Sequence, residues 1–308
     1  SATSSTRASR MRRSARPAGR RHAGNTLVGW SFILPNFLGF AGFTLIPVLA
    51  TFGLAFMKWN SYNPPEWVGL DNFRRMLRSE NFWTALQNTF VYGLGHVPLT
   101  MACSLGLAVV LNTKLRGVGF FRTAAFFPYV TSLVAVAIVW NMLFSPTVGP
   151  INQMLHAVGI AHPPGWTTSS TWAMPAVIIT SVWRDMGYYM VLYLAGLQSI
   201  PAEYYEAAQV DGASRWQRFR HVTLPCLLPT TTFVMIMLTI SSFKVFDLVF
   251  IMTEGGPGRA TLVLSQLIYR EGIAEGRFGL SSAIALVLFV VVLVATLLQF
   301  RIQERRQR

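Results

Sequence analysis

Four ionisable side chains stand inside long apolar runs: Arg184 and Asp185 in one, Lys244 and Asp247 in another. A charge at bilayer depth is costly, so such groups face a cavity, a partner or one another. Tyr188 and Tyr189 follow one turn after the first pair, and Ser241 and Ser242 precede the second. From the residues alone two readings stay open. The charges are ion pairs that lock helices together, or they line a path for a hydrophilic cargo. Aromatic rings beside hydroxyls, carboxylates and a guanidinium suit sugars, whose CH faces stack and whose hydroxyls need both donors and acceptors. A proton relay is disfavoured, because the carboxylates are few and sit beside basic groups.

A second constellation lies between these two runs. Glu203, Glu206, Arg215, Arg218 and Arg220 crowd into about twenty-five residues of a chain that is only 12% charged. Within it stand Glu206-Ala207-Ala208, Asp211-Gly212 and, further on, Val222-Thr223-Leu224-Pro225. An amphipathic interfacial helix without a partner would also show a charged face. The small pair Ala207-Ala208 and the turn-permitting Gly212 instead favour close approach by something outside the membrane. Pro225 suits the first turn of the run that follows.

Other chemistries are excluded by composition and spacing. The three lysines, Lys58, Lys114 and Lys244, never follow glycine, so there is no phosphate-cradling Gly-Lys-Ser/Thr loop. No H-E-x-x-H zinc motif occurs, no metal site is expected, and the histidines are scattered; His96, the one well inside an apolar run, reads as a packed polar residue. Cys103 and Cys226 read as small packing residues rather than a disulfide or metal pair. The net charge of +14 does not mark a nucleic-acid binder. Much of it sits in Arg7, Arg10, Arg12, Arg13, Arg16, Arg20 and Arg21 and in Arg301, Arg305, Arg306 and Arg308, flanking apolar runs, where it reads as a topology signal and a contact to anionic lipid. The N-terminal apolar run is too long for a signal peptide core, so it is expected to be retained as a span.

The elements that must position these residues are membrane helices, each needing about 20 mostly apolar residues. With 52% hydrophobic residues, the chain offers six: about 27–57, 85–112, 120–144, 172–197, 226–252 and 280–300. The first contains Pro35 and Pro47 and is expected to kink or break. An even count puts both tails on one side. Lys114, Arg116, Arg122, Arg215, Arg218 and Arg220 fall on that side too, which makes it cytosolic. The expected organisation is a disordered basic tail over 1–26, a six-span domain over 27–303 containing the charged loop at about 198–225, and a cytosolic end over 304–308. The loops of the opposite side, 58–84, 145–171 and 253–279, are rich in Pro, Gly, Asn and Trp. An amphipathic stretch is expected over 73–86 and a weaker one over 151–158.

The island resembles the EAA signature of ABC importer permeases, with Val222 where that family has Ile. Three further stretches are similar to the carbohydrate-type permeases, in particular to the larger membrane subunit of the maltose importer: Trp67-Val68-Gly69-Leu70-Asp71-Asn72-Phe73, Tyr193 to Pro201, and Met252-Thr253-Glu254-Gly255-Gly256-Pro257-Gly258. The resemblance covers roughly residues 27–303. It implies an all-α, polytopic, six-helix type I importer fold in a bacterial or archaeal inner membrane. It also implies a heterodimer with a second permease, two ATP-binding subunits that hold ATP and Mg, and an extracytoplasmic solute-binding protein. The chain itself would be no enzyme. Glu206, Ala207, Ala208, Asp211, Gly212, Leu224 and Pro225 would couple to the ATPase. Ser181, Arg184, Asp185, Tyr188, Ser241, Ser242 and Val245 match that relative's sugar contacts, Lys244 lies among them, and Gly255, Gly256 and Pro257 would meet the binding protein. The implied function is half of a translocation pathway for a sugar or sugar derivative: an oligosaccharide, an amino sugar or glycerol phosphate. The rival expectation is an ion-driven secondary transporter using Asp185 and Asp247.

Overall fold

The computed structural model describes residues 19–113 and 116–307. The tail arginines up to Arg16, together with Lys114 and Arg308, lie outside the described residues. Two compact units divide the chain, 1–51 and 52–308.

The first unit holds helix α1 (Gly19–Phe40), a wide π-helical stretch (Ala41–Leu45) and the start of α2 (Ile46–Leu54). Residues 19–26, expected in a disordered tail, are helical. The strong helix formers Arg20, Arg21 and Ala23 let the helix grow backwards from the apolar run. The expected break is a widened turn at Ala41–Leu45. Pro47 has no N–H for the Phe43 carbonyl, and the Ile46 N–H bonds instead to Ala41 O, five residues back.

The second unit opens with a short antiparallel hairpin, β1 (Met57–Lys58) and β2 (Glu66–Trp67), with Met57 opposite Trp67. Then come α3 (Asp71–Arg78), α4 (Glu80–Leu111), α5 (Val118–Val130), α6 (Leu133–Leu143), α7 (Pro150–Ala157) and α8 (Ala173–Gln198). The island carries α9 (Ala202–Val210), α10 (Arg215–Arg218), a π-helical stretch (Phe219–Thr223) and α11 (Leu224–Cys226). The chain continues through α12 (Leu228–Phe243), α13 (Asp247–Thr253), α14 (Leu264–Tyr269) and α15 (Phe278–Gln307). The amphipathic stretch expected over 73–86 is interrupted, because Ser79 is extended (ψ 121°) between α3 and α4. The weaker one is α7.

By length and composition, three described helices can cross a membrane: Trp30–Leu54, Glu80–Leu111 and Phe278–Gln303. Two bent pairs raise the number to five if each is one span. Val118–Val130 and Leu133–Leu143 meet at 98°, and Arg215–Cys226 and Leu228–Phe243 at 65°. Hydropathy could not reveal the first break, since both halves of that pair are apolar; the second falls where the charged island, with Arg215, Arg218 and Arg220, gives way to the apolar run expected from 226. Backbone chemistry explains the first. Thr131 is extended, and its hydroxyl donates to Pro128 O (2.7 Å), satisfying a carbonyl the broken helix leaves free. α8 stands outside the set because Thr180, Ser181, Arg184 and Asp185 make its middle polar.

Three buried clusters hold the second unit together. One gathers Tyr92, Trp166, Val177 and Val249; one Met76, Phe82, Leu264 and Ile284; one Tyr193, Leu197, Leu227 and Leu238. Large apolar residues such as Leu94, Phe120 and Val110 remain exposed, as lipid-facing side chains do. In lipid the hydrophobic effect does not drive helices together, so close packing at small residues must. Gly187 shows this: a Cβ there would stand 1.8 Å from Ala125 O, so α8 lies directly on the backbone of α5.

Candidate functional site

Two sites emerge from this frame. The first is a half-open space of about 150 Å³ in the second unit, bounded by α4, α6, α8 and the gap between α12 and α13. Helical spacing supplies most of its wall. Tyr92 and His96 are four apart on α4, and Ser181, Arg184 and Asp185 share one face of α8. The remaining wall is a break the sequence did not foretell. The fifth expected span stops being helical after Phe243, and Phe246 has φ −137°, ψ −64° before α13 resumes at Asp247. Ser265 Oγ donates to the freed Val245 carbonyl, which holds the gap in place. Irregular backbone at membrane depth is tolerated where protein or a water-filled cavity satisfies it.

The polar groups form a chain. His96, 1% exposed, joins its Nδ1 to Ser242 Oγ at 2.9 Å. Its Nε2 comes within 3.3 Å of Asp185 Oδ2, an ionic-range contact without hydrogen-bond alignment. Arg184 Nη1 donates to Asp185 Oδ1 at 2.8 Å, and its guanidinium carbon lies 5.1 Å from the centre of the Tyr129 ring. Tyr92 OH donates to Ser181 Oγ at 2.8 Å, and Ser181 Oγ donates to Val177 O. Asp185 is thus an ion-pair partner of its neighbour Arg184 on the same helix, and both residues line the cavity. Lys244 has no carboxylate partner within the salt-bridge range among the described residues and is exposed.

Six of the eight expected pathway residues line this space: Ser181, Arg184, Asp185, Ser241, Lys244 and Val245. Tyr188 and Ser242 do not. Tyr188 stacks on Tyr129 with centroids 4.5 Å apart, and Ser242 is buried against His96. Tyr92 and Tyr129 were missed, and His96 was read only as packing. The available signal was His96 itself, a titratable group deep in an apolar run.

The second site is the island. On α9, Glu206 and Ala207 are exposed and Ala208 is half-buried, while Asp211 and Gly212 form an exposed turn. Gly212 has φ +75°; its N–H bonds to Gln209 O, and the Ala213 N–H reaches back to Ala208 O at 2.9 Å. This is a Schellman close, which needs glycine at the left-handed position. Ser214 and Gln217 then form a reciprocal capping box that starts α10. Neither signature was recognised in the sequence, although both residues stood at the right spacing. Leu224 is half-buried and Pro225 exposed at α11. Tyr204, Trp216 and Val210 are strongly exposed for a polar loop, at 54%, 66% and 88%. Exposed apolar side chains on such a loop suit a partner surface.

The glycine-rich loop after α13 is folded down rather than loose. Gly255 is buried against Gln266, and Gly256 and Pro257, joined by a cis peptide, are half-buried. Asn88 Nδ2 on α4 donates to Arg259 O (2.9 Å) and Leu262 O (3.0 Å).

A family model described as the binding-protein-dependent transport system inner membrane component matches residues 98–308. The chain belongs to that family. It is a transport component rather than an enzyme. It is similar to the probable ABC transporter permease protein YesP of Bacillus subtilis (strain 168), at 40% identity over 90% of each chain. It is similar to the lactose transport system permease protein LacF of Rhizobium radiobacter, at 38% identity over 91% of this chain and 95% of the relative. A crystal structure of a bacterial alginate ABC transporter in complex with alginate pentasaccharide-bound periplasmic protein aligns with a TM-score of 0.82. That alignment has 26% identity and covers 95% of this chain and 99% of the other. The permease therefore has the type I ABC permease fold. The ion-driven alternative finds no support in the family, and in the permease Asp185 is already committed to Arg184 and His96.

Proposed function

We propose that the permease forms one half of the translocation pathway of an ATP-driven importer for a sugar or sugar derivative, delivered by an extracytoplasmic binding protein. The observation that carries this is the cavity at the helix break. It offers a hydroxyl pair (Tyr92, Ser181), a guanidinium, a carboxylate and an ammonium within one small space. Sugar hydroxyls use donors and acceptors together, and discontinuous helices at mid-membrane expose such groups. The names of LacF and of the alginate transporter agree with a carbohydrate cargo.

In this reading the chain crosses the inner membrane six times, α8 being the polar span, with both termini in the cytosol. A second permease completes the path. Two ATPase subunits, which bind ATP and Mg, receive α9 and the Asp211-Gly212 turn. Glu206 faces that partner, and the exposed Tyr204, Val210 and Trp216 supply its apolar grip. Closure of the ATPases moves the island, and α11 and α12 transmit the movement to the cavity wall at Ser241–Val245. The Gly255–Arg259 loop meets the binding protein on the other side.

The test is uptake of labelled oligosaccharides by cells expressing the whole transporter, with Arg184→Ala and Ser181→Ala variants. The expected outcome is uptake that needs ATP, survives collapse of the ion gradients by an ionophore and is lost in Arg184→Ala with assembly intact. Uptake that collapses with the gradient would overturn the proposal.

A further inference from the structure

A second hollow, an open groove of about 300 Å³, lies at the foot of α4 and α8, where the island begins. One wall is apolar: Val109 on the last turn of α4, Leu197 at the end of α8, and Phe219. The lining also carries two guanidinium groups, those of the exposed Arg215 and the half-buried Arg218. Neither is neutralised: among the described residues no carboxylate lies within salt-bridge range of either. Arg218 Nε is buried without a hydrogen-bond partner, and its Nη1 has only a long contact to Gln209 Oε1 (3.4 Å). Tyr205 OH and Thr223 Oγ1, also in the lining, hydrogen-bond to each other at 3.0 Å.

Two guanidinium groups without a carboxylate partner, one of them half-buried, on a groove with an apolar side suit an anion. The position narrows its kind. α4 is long and apolar enough to span a bilayer and ends at Leu111, so the pocket lies at the depth where acyl chains give way to headgroups. A ligand with an acidic head and an apolar body matches a lining that is part cationic and part apolar. We propose that this pocket binds the phosphate of an anionic phospholipid, held by Arg215 and Arg218, with the start of its acyl chains against Val109, Leu197 and Phe219. The lipid packs against Tyr205 of α9 and Phe219, so it braces the base of the island. This goes beyond the transport reading and does not depend on which cargo is carried.

The experiment uses the assembled transporter in detergent, titrated with phosphatidylglycerol, phosphatidylcholine or inorganic phosphate and followed by native mass spectrometry. Phosphatidylglycerol is expected to be retained in preference to phosphatidylcholine with the same acyl chains. Affinity should fall about fivefold in Arg218→Gln and about thirtyfold in Arg218→Gln with Arg215→Gln. Arg218→Lys should keep most of the binding, which separates charge from fold. Equal retention of the two lipids, or unchanged retention in the double variant, overturns the site. Tight inorganic phosphate with no lipid preference overturns the lipid source. Loss of the ATPase subunits from the double variant with lipid retention unchanged overturns it too, and assigns the arginines to the partner.

Discussion

His96 Nε2 lies 3.3 Å from Asp185 Oδ2, while the same ring's Nδ1 sits 2.9 Å from Ser242 Oγ. One imidazole on α4 thereby ties together α8 and α12, the two helices that flank the island in sequence.

Replacing the ring tests it. His96→Leu should strand Ser242 Oγ and take one neighbour from Asp185, destabilising the assembled transporter by about 1–3 kcal/mol. His96→Gln, which keeps a donor and an acceptor, should recover part of that loss. Thermal unfolding in detergent, run beside uptake, reads both; equal melting of all three proteins would remove the tie from the account.

Arg184 offers a contrast between charge and shape. Its guanidinium both bonds Asp185 and lies over Tyr129. Arg184→Lys keeps the charge and loses the planar contact, worth about 1 kcal/mol. Half-maximal uptake should then need about fivefold more cargo-loaded binding protein, with basal ATP hydrolysis unchanged.

Two glycines on the spans should respond oppositely. Gly187→Ala would force a methyl onto Ala125 O, 1.8 Å away, and should cost about 1–3 kcal/mol by parting α5 from α8. Gly106→Ala on α4 meets nothing within 4 Å and should be neutral or stabilising by up to about 1 kcal/mol. The melting temperatures of the two variants are the measurement.

At Gly212 the constraint is backbone conformation, not space, since nothing lies within 4 Å of a Cβ there. Uptake should therefore fall in the order Gly212→Asn, Gly212→Ala, Gly212→Val, because Asn tolerates the left-handed region and a β-branched residue does not. An ordering by side-chain volume alone, with Asn below Ala, would point to contact with the ATPase as the dominant effect.

Asn88 tests the glycine-rich loop. Its two bonds to Arg259 O and Leu262 O hold the loop on α4. Asn88→Ala should release roughly 1–2 kcal/mol of restraint and weaken stimulation of ATP hydrolysis by the cargo-loaded binding protein, leaving basal hydrolysis intact. Unchanged stimulation would show that the loop does not need this anchor.

The sequence by itself determined what local chemistry can encode. Apolar runs of membrane length located α4 and α15, missing the start of the first by five residues and the end of the second by seven, because hydropathy is a property of each segment alone. The Glu206-Ala207-Ala208 and Gly212 spacing located the island, and the absence of a Gly-Lys-Ser/Thr loop excluded a nucleotide site of that kind on this chain. Charges inside apolar runs singled out Arg184, Asp185 and Lys244. Only the tertiary structure decided how these residues meet. His96 and Ser242 are 146 positions apart, and no spacing rule connects them. The break at Thr131 was invisible because the residues on both sides are apolar, and the polar residues around Lys244–Phe246 fit a cavity lining as well as a break; whether such a helix bends depends on which neighbours satisfy the freed carbonyls. Ser265 does so at Val245, and it lies on a different helix. The pairing of Arg215 and Arg218 with an apolar wall from α4 and α8 likewise exists only once those helix ends converge.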